Sequence, residues 1–381
     1  AEAAGVLTTG GAAAVRRLLA EGFPADRASD GGIALGLEAA HSRPRIVHAG
    51  EDRTGAALHA FLSAQTLALA AAGEVEIVEH STAVSLLADS GAVVGAVLRD
   101  AGGRLSAVRA EAVVLATGGY AGLYPRTSNH PGARGEGIVL AARSGALVAD
   151  LEFVQFHPTV IAGTGFLVSE AVRGAGAVLR DGSGRRFMQG VDPAAELAPR
   201  DLVSRTVHRV MRERGEPSVW LDATGIERDG GPGTLARRFP HITAAATAQG
   251  YDWAHEPIPV APAAHYTMGG VATDLDGRTA VPGLFAAGEV ACTGVHGANR
   301  LGGNGVANST VFGGIAGDSM AAWVGRHPEH REPDMAAIAR SIAGHEAPFS
   351  LAPGSVEEIR EALYDCMWND VGILRNAEGL A

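Results

Sequence analysis

Two short apolar segments that each end in glycine constrain the fold of this chain more than any other feature. They are VVLATGG at residues 113–119 and LFAAGEV at residues 284–290. Open α/β sheets bind nucleotides where a strand runs into glycine, because glycine lets backbone N–H groups approach a phosphate. Either segment alone is more often a plain turn. Together they favour an α/β chain with a nucleotide cofactor at the strand ends.

The length and the glycine content indicate several domains joined by many tight turns. A chain of 381 residues exceeds the size at which a single core stops growing, roughly 250 to 300 residues. Its 52 glycines are about double the usual share of roughly 7%. We therefore expect a loop-rich α/β protein of two or three domains.

Charge, cysteine usage and hydropathy exclude several classes of protein. A formal charge of −11 without a basic stripe argues against a nucleic-acid partner. Cys292 and Cys366 are far apart and form no CxxC, which predicts neither an iron–sulfur or zinc site nor disulfides and fits a reducing cytoplasm. No run of about 18 apolar residues and no signal-peptide pattern occurs, so no membrane segment is expected.

The pattern of elements changes twice along the chain. Helices are predicted at 12–22 and up to about 72, with strands at 45–48 and 112–116. From 135 to 250 the pattern is typical of helices joined by longer polar loops, and Pro199 is predicted at a first helical position. Short strands return near 256, and a polar linker, GRHPEHREP, follows Trp323. A site at the junction of the two domains is expected.

The middle and returning segments carry an unusual set of polar groups in glycine-rich or proline-flanked loops. They are His157 in LEFVQFHPT, Ser169, Glu170 and Arg173 in LVSEAVRGAG, Arg200 in ELAPRD, His265 in PAAHYTMGG, and Arg300. Arginine forks hold carboxylates bidentately, and histidine adds a directional donor. Each group taken singly is more often a structural polar residue, but their number favours recognition of a small dicarboxylate.

Several motifs in order give the chain a family resemblance. They are LEFVQFHPT, SEAVRGAGAVL, GRRFMQG, ELAPRDLVSR, EPIPVAPAAHYTMGGV, GLFAAGEVACTGVHGANRL and MWNDVGILRNAEGL. Together they resemble the flavoprotein family of L-aspartate oxidase and the fumarate reductase/succinate dehydrogenase flavoprotein subunits. The resemblance implies FAD, a flavin-binding domain at 1–134 and 256–325, a capping domain at 135–255, and the start of a C-terminal helical domain at 333–381. It also implies that the G-x-G-x-x-G strand, which we do not find here, precedes residue 1.

The resemblance implies a role for each candidate residue. On the family pattern, Glu38, His157, Ser169, His265 and Arg300 bind the dicarboxylate, while Arg200 transfers a proton with Glu170 and Arg173 as its relay. The expected FAD contacts are Thr117, Gly118, Gly119, Asn129, Glu289, Asn304, Gly305 and Val306. Because guanidinium stays protonated near pH 7, the role of Arg200 requires a desolvated site. A helix beginning near Asn304 would direct its positive end at the flavin.

Two features of the sequence favour different substrates within this family. Glu38, three residues before His-Ser in LGLEAAHSRPRIVHA, matches the aspartate oxidase pattern and would pair with an α-ammonium, which fumarate and succinate lack. Gly303 and Gly305 depart from that pattern, where serines are expected, and LGGN is similar to soluble fumarate reductases. The hypotheses are oxidation of L-aspartate to iminoaspartate for NAD biosynthesis, fumarate reduction or succinate oxidation, and a non-catalytic remnant.

Stopped-flow absorbance separates these hypotheses. If Glu38 pairs with an α-ammonium, L-aspartate bleaches the flavin of the protein and succinate does not, because only aspartate carries the matching cation. Failure of aspartate to bleach the flavin contradicts this prediction. Fumarate-dependent oxidation of a reduced viologen without aspartate turnover would select the second hypothesis, and a protein that purifies without yellow absorbance the third.

Overall fold

The structure is a computed structural model that describes residues 1–37, 41–327, 335–346 and 355–381. Its helices are α1 Glu2–Ala20, α2 Thr54–Ala71, α3 Glu136–Arg143, α4 Glu170–Gly174, α5 Arg200–Arg214, α6 Thr224–Gly230, α7 Thr234–Arg238, α8 Pro240–Ala248, α9 Asn304–Arg326, α10 Met335–Glu346 and α11 Ser355–Asn369. Its strands are β1 Leu35–Gly36, β2 Ile46–Val47, β3 Ser81–Asp89, β4 Ala92–Asp100, β5 Leu105–Arg109, β6 Val113–Leu115, β7 Val148–Ala149, β8 Val154–Ile161, β9 Val178–Arg180, β10 Val219–Asp222, β11 Ile258–Thr267, β12 Gly270–Ala272, β13 Leu284–Ala286 and β14 Ala291–Cys292.

The two glycine-ended segments of the sequence are neighbouring strands. β6 and β13 pair in parallel, with Leu284 opposite Val113 and Ala286 opposite Leu115. Because parallel strands end at the same edge, Thr117-Gly118-Gly119 and Gly288-Glu289 follow the pair on one side. Residues far apart along the chain therefore converge on one place.

A four-stranded antiparallel sheet occupies the middle of the chain, in the order β8-β11-β10-β9. The prediction of helices joined by polar loops between 135 and 250 is therefore wrong in part, since β8, β9 and β10 lie in this range. β9 and β10 have only three and four residues, too few for a clear period, and β8 is buried along nearly its whole length, so it lacks the alternation that identifies a half-buried strand. The sheet and α5 enclose one apolar core that includes Val203, Leu221 and Ile258.

Helix α1 begins ten residues before the predicted start at Ala12. Its first half contains glycines and threonines, which disfavour a helix, so propensity alone misses it. Packing against α9 supplies the missing stabilisation, because Leu7 is buried with Val311 and Phe312. Gly10 permits the close approach, since an added Cβ there would lie 2.8 Å from Cγ1 of Val311.

The C-terminal part contributes α10 and α11. Residues 328–333 of the predicted linker GRHPEHREP lie outside the described residues, as do 334 and 347–354. Trp368 of α11 packs against Phe156 of β8, with ring centroids 6.2 Å apart. β11 hydrogen-bonds to β8 and β10, although its residues belong to the predicted returning segment. The domain boundaries themselves stay a prediction.

Among the described helices, none has the length and apolar content needed to traverse a bilayer.

Replacing Leu221 tests the core beneath this sheet. Leu221 of β10 is fully buried, so Leu221→Ala should lower the free energy of unfolding by about 2–5 kcal/mol through lost burial and a cavity. Its neighbour Trp220 faces outward and is 37% exposed, so Trp220→Ala should cost less. Urea denaturation followed by circular dichroism measures both, and equal losses would contradict the assigned orientation of β10.

Candidate active site

The central strands β8 and β11 bring the first polar groups of the site together. Gln155 and His157 lie two residues apart on β8 and therefore point to the same face. On β11, the register shifts between Ala264 and Tyr266, and this bulge lets the consecutive residues His265 and Tyr266 line one cavity. Sequence alternation alone would have placed these two side chains on opposite faces.

A buried array of charges lies beside these strands. The guanidinium of Arg200 donates from Nε to Oε1 of Glu170 at 2.8 Å and from Nη2 to Oε2 at 3.0 Å. Arg173 donates from Nη2 to Oε1 of Glu170 at 3.0 Å and from Nη1 to the carbonyl of Glu196. Nη1 of Arg200 donates to Gln155 at 2.9 Å. One carboxylate therefore lies between two guanidinium groups.

Helix starts position these charges. Ser169 is the N-cap of α4, where its hydroxyl accepts a hydrogen bond from the backbone N–H of Ala171. Glu170 and Arg173 follow three residues apart, so both side chains lie on one face of the turn. Arg200 is the first residue of α5, and Pro199 is its N-cap rather than the predicted first helical residue. The ψ angle of Pro199 is 146°, which is extended rather than helical, so the helix begins at the next residue.

Burial and the neighbouring arginines shift the pKa of Glu170 in opposite directions. Desolvation alone would raise the pKa of Glu170, but the charges and hydrogen bonds of Arg200 and Arg173 hold that pKa below its usual value. Glu170 is 3% exposed and Arg173 2% exposed, so solvent does not screen the pair. The carboxylate is therefore ionised at neutral pH and serves as the counter-ion of both arginines.

The two histidines of the site are neutral. Burial first, and the charge of Arg200 second, hold the pKa of both His157 and His265 well below the usual value. Nδ1 of His157 accepts the backbone N–H of Thr159 at 3.3 Å, so the neutral ring carries its proton on Nε2. That Nε2 is buried and has no partner among the described residues, which leaves it free to donate to a ligand. Nδ1 of His265 shares a 2.8 Å hydrogen bond with the hydroxyl of Ser128.

Arg300 provides the second cation. It is 5% exposed, and burial, with the charge of Arg200, lowers the pKa of its guanidinium to about 10. Nη1 donates to the carbonyl of Leu301 at 3.1 Å, whereas the buried Nε has no partner within the described residues. An unpaired buried N–H is costly, so this edge of the guanidinium is suited to an anionic ligand.

One cavity of about 1070 Å³ joins these groups. Its lining includes the predicted residues His157, Ser169, Glu170, Arg200, His265, Arg300, Asn129, Glu289, Gly305 and Val306. Arg173 lies behind Glu170 and does not line it. Glu38, the residue predicted to meet an α-ammonium, lies outside the described residues. The cavity continues along α1, α2 and α9.

The residues predicted to contact FAD fall into two groups. Glu289 accepts hydrogen bonds at Oε1 from the backbone N–H and the hydroxyl of Thr267, and within the described residues its other oxygen accepts none. Burial raises the pKa of this carboxyl. α9 begins after Gly303, which lacks a capping side chain, so free N–H groups of its first turn face the cavity at Gly305 and Val306. A carboxylate and a helix start fit the hydroxyls and the ring of a flavin.

The other group lies beside this cavity. Thr117 does not line it and packs against α3, where a Cβ added to Gly137 would lie 2.0 Å from the threonine hydroxyl. Gly118 has φ +74, and a Cβ on Gly119 would overlap Glu289 Oε1 at 2.5 Å. These glycines therefore let the backbone pass closely behind Glu289. The amide N–H of Asn304 donates to Leu301 within the turn at 3.2 Å.

The structure adds residues to the site that the sequence analysis missed. Gln155 joins Arg200 to the glycine-rich turn between β14 and α9, residues 293–303, because its Nε2 donates to the carbonyl of Arg300 at 2.6 Å. Its spacing of two from His157 on a strand was the available signal. Ser128 and Tyr266 carried no such signal, since their positions depend on strand pairing and on the bulge.

No group of three or more metal-ligating side chains occurs in the described ranges.

Comparisons with known proteins show the family of the chain. The model of a family described as FAD binding domain matches residues 1–306. The chain is 45% identical to the L-aspartate oxidase of Streptomyces coelicolor, with all of this chain and 65% of that protein covered. It is 43% identical to the L-aspartate oxidase of Caulobacter vibrioides, with all of this chain and 70% of that protein covered. This chain thus spans about two thirds of the length of these curated relatives.

A solved structure is similar over the same extent. The FrdA chain of a mutant Escherichia coli quinol fumarate reductase superposes with a TM-score of 0.90 at 31% identity, covering 98% of this chain and 66% of that one. The mixed α/β fold is therefore that of an FAD-binding flavoprotein like the fumarate reductase chain.

The neutral His157 makes stability depend on pH. Its folded pKa lies well below 6.5, so the unfolded state binds the extra proton. The stability associated with the neutral ring is fully present above the unfolded-state pKa of about 6.5 and is lost as pH falls below that pKa. One pH unit below it, the free energy of unfolding is lower by roughly 1.4 kcal/mol. The free energy of unfolding from pH 8 to 5.5 should fall less in His157→Gln than in the unsubstituted protein. Identical slopes for His157→Gln and the unsubstituted protein would contradict the assignment.

Proposed function

The chain belongs to the FAD binding domain family, and from this premise we propose that it oxidises L-aspartate to iminoaspartate. The single observation that carries the proposal is the arrangement of Arg200 and Arg300, with two neutral histidines, around one cavity. Two cations and two directional donors match a four-carbon dicarboxylate. The two curated relatives described above are L-aspartate oxidases, which favours aspartate among such substrates.

In this proposal each carboxylate of the substrate has its own partners. Arg300 binds one carboxylate through the edge that bears the unpartnered Nε. His157 donates a hydrogen bond to a carboxylate from its Nε2–H. The hydroxyl of Ser169 already accepts a hydrogen bond from Ala171, and its own O–H is available to donate one to the substrate. Because both imidazoles are neutral, they orient the carboxylates without adding charge. Glu38 stays the predicted partner of the substrate ammonium on the sequence evidence alone.

The reaction removes a hydride from Cα and a proton from the amino group. FAD, when bound, supplies the acceptor for the hydride, and oxygen or fumarate is the proposed final acceptor. In one concerted step Arg200 releases a proton from Nη2 to Oε2 of Glu170 along the 3.0 Å hydrogen bond and takes up the substrate proton. Because a guanidinium has no acceptor site until it releases a proton, the two transfers occur together, so Arg200 keeps its charge and Glu170 ends the step protonated. Arg173 donates a hydrogen bond to Oε1 of the same carboxylate.

Gly303 favours a second candidate function. Serine is expected there in the oxidase pattern, and Gly303 has φ +78, a conformation that a serine would adopt only with strain. The fold likeness to the fumarate reductase chain points the same way. In this alternative the same cavity binds fumarate or succinate, and Arg200 and Glu170 deliver or accept the proton at carbon.

Replacing Arg200 tests the proton-transfer role. In the FAD-loaded protein, Arg200→Gln should lower kcat for L-aspartate by about 10²–10⁴, because an amide cannot pass a proton to Glu170. The measurement is aspartate-dependent release of oxaloacetate and ammonia, the hydrolysis products of iminoaspartate. Arg205→Gln is the matched control, since Arg205 lies on the same helix in a half-exposed ion pair with Asp201.

The control should leave kcat within about twofold, because exposed ion pairs contribute little. Full activity of Arg200→Gln would refute the role of Arg200. Absence of aspartate turnover in the unsubstituted protein, with fumarate reduced instead, would replace the proposal by the alternative function.

A further inference from the structure

Arg300 is a buried cation that lacks a carboxylate partner among the described residues. Glu170 neutralises Arg200 and Arg173 through hydrogen bonds, whereas the two ends of the Arg300 guanidinium meet a backbone carbonyl and the cavity. Arg200 repels Arg300, since both charges lie at the same cavity. Something other than an ion pair must hold this side chain in place.

The face of Tyr266 meets that guanidinium. Cζ of Arg300 lies 4.5 Å from the centroid of the tyrosine ring. Aromatic faces carry negative partial charge, and their attraction for a cation is stronger when the contact is desolvated, as it is here. The buried Nε of Arg300 has no partner among the described residues, so the guanidinium can lie against the ring and still offer this edge to a ligand.

The tyrosine also contacts a second residue through its hydroxyl and its ring. The hydroxyl of Tyr266 lies 3.3 Å from Nε2 of His296, and the two rings meet edge to face at 5.3 Å. His296 belongs to the same glycine-rich turn as Arg300. The turn therefore contacts Tyr266 twice, once through each of these side chains.

Gly305 leaves the space for this stack. A Cβ added to Gly305 would lie 3.1 Å from Cε2 of Tyr266 and 3.5 Å from Nη1 of Arg300. Glycine at this position therefore leaves room for Tyr266 and Arg300 to lie together.

We propose that Tyr266 is a positioning residue, whose ring face holds the Arg300 guanidinium so that its free edge meets a substrate carboxylate. This inference rests on the proposed function in one respect only, namely that the ligand is a dicarboxylate. The stacked geometry of Arg300 is a property of the protein alone. The two parts can therefore be tested separately.

Calorimetric titration of the FAD-loaded protein with malonate tests the ligand part. Malonate has two carboxylates but no adjacent carbon pair to dehydrogenate. Tyr266→Leu removes the ring face and should weaken malonate binding about ten- to thirtyfold. Tyr266→Phe keeps the face and should stay within about threefold of the unsubstituted protein. Tyr124→Leu is the matched control, because Tyr124 is a buried tyrosine with an aromatic partner and, among the described residues, no guanidinium over its ring.

Equal binding by Tyr266→Leu and the unsubstituted protein would overturn the inference. A loss in Tyr266→Phe as large as that in Tyr266→Leu would also overturn it, since the hydroxyl rather than the face would then hold Arg300. A loss in Tyr124→Leu of the same size would assign the effect to general destabilisation and would count against the inference as well.

Nuclear magnetic resonance tests the geometry without any ligand. The Nε–H signal of Arg300, identified by its absence in Arg300→Lys, should carry a ring-current shift that persists in Tyr266→Phe and disappears in Tyr266→Leu. An unchanged signal in Tyr266→Leu would overturn the inference. If the unsubstituted protein binds no malonate, the proposed function fails, and this measurement still decides whether Tyr266 positions Arg300.

Discussion

The ion pair of Arg200 and Glu170 is the interaction on which the rest of the site depends. Removing charges from water costs several kcal/mol for each ion, so a buried carboxylate requires close partners. Two guanidinium groups meet that requirement here, and one of them, Arg173, also donates a hydrogen bond to the backbone carbonyl of Glu196. The surrounding elements must therefore hold the N-terminal ends of α4 and α5 close together. A site with this network incomplete would lose both its charge balance and its geometry.

The fold meets this demand by placing the polar groups on elements with firm apolar support. β8 and β11 lie side by side within a sheet whose other face and flanking helices form a dry core. The polar side chains are therefore carried by backbone that cannot shift without disrupting that core. The glycine-rich turn has no such support of its own. Its contacts with Gln155 and Tyr266 connect it to the same two strands.

Much of the fold and of the site was predictable where the signal is local. The second helix, the two glycine-ended strands and the start of α9 follow from apolar periodicity, from glycine and from turn residues. The early half of α1 and the strands of the middle sheet were missed, because packing overrides propensity there. Gly10 illustrates the reason, since it weakens the helix locally and yet allows α1 to approach α9.

The sequence by itself determined the chemical inventory: the arginines, histidines and carboxylate suited to a dicarboxylate, and the motifs that identify the FAD-binding family. Composition and motif order are properties of the chain that need no coordinates. Only the tertiary structure decided which of these groups share a cavity, that both imidazoles are neutral, and that Arg300 lies on Tyr266. Those outcomes depend on strand register, on the bulge at His265 and on burial. Each of them arises from contacts between residues far apart along the chain, which no local pattern encodes.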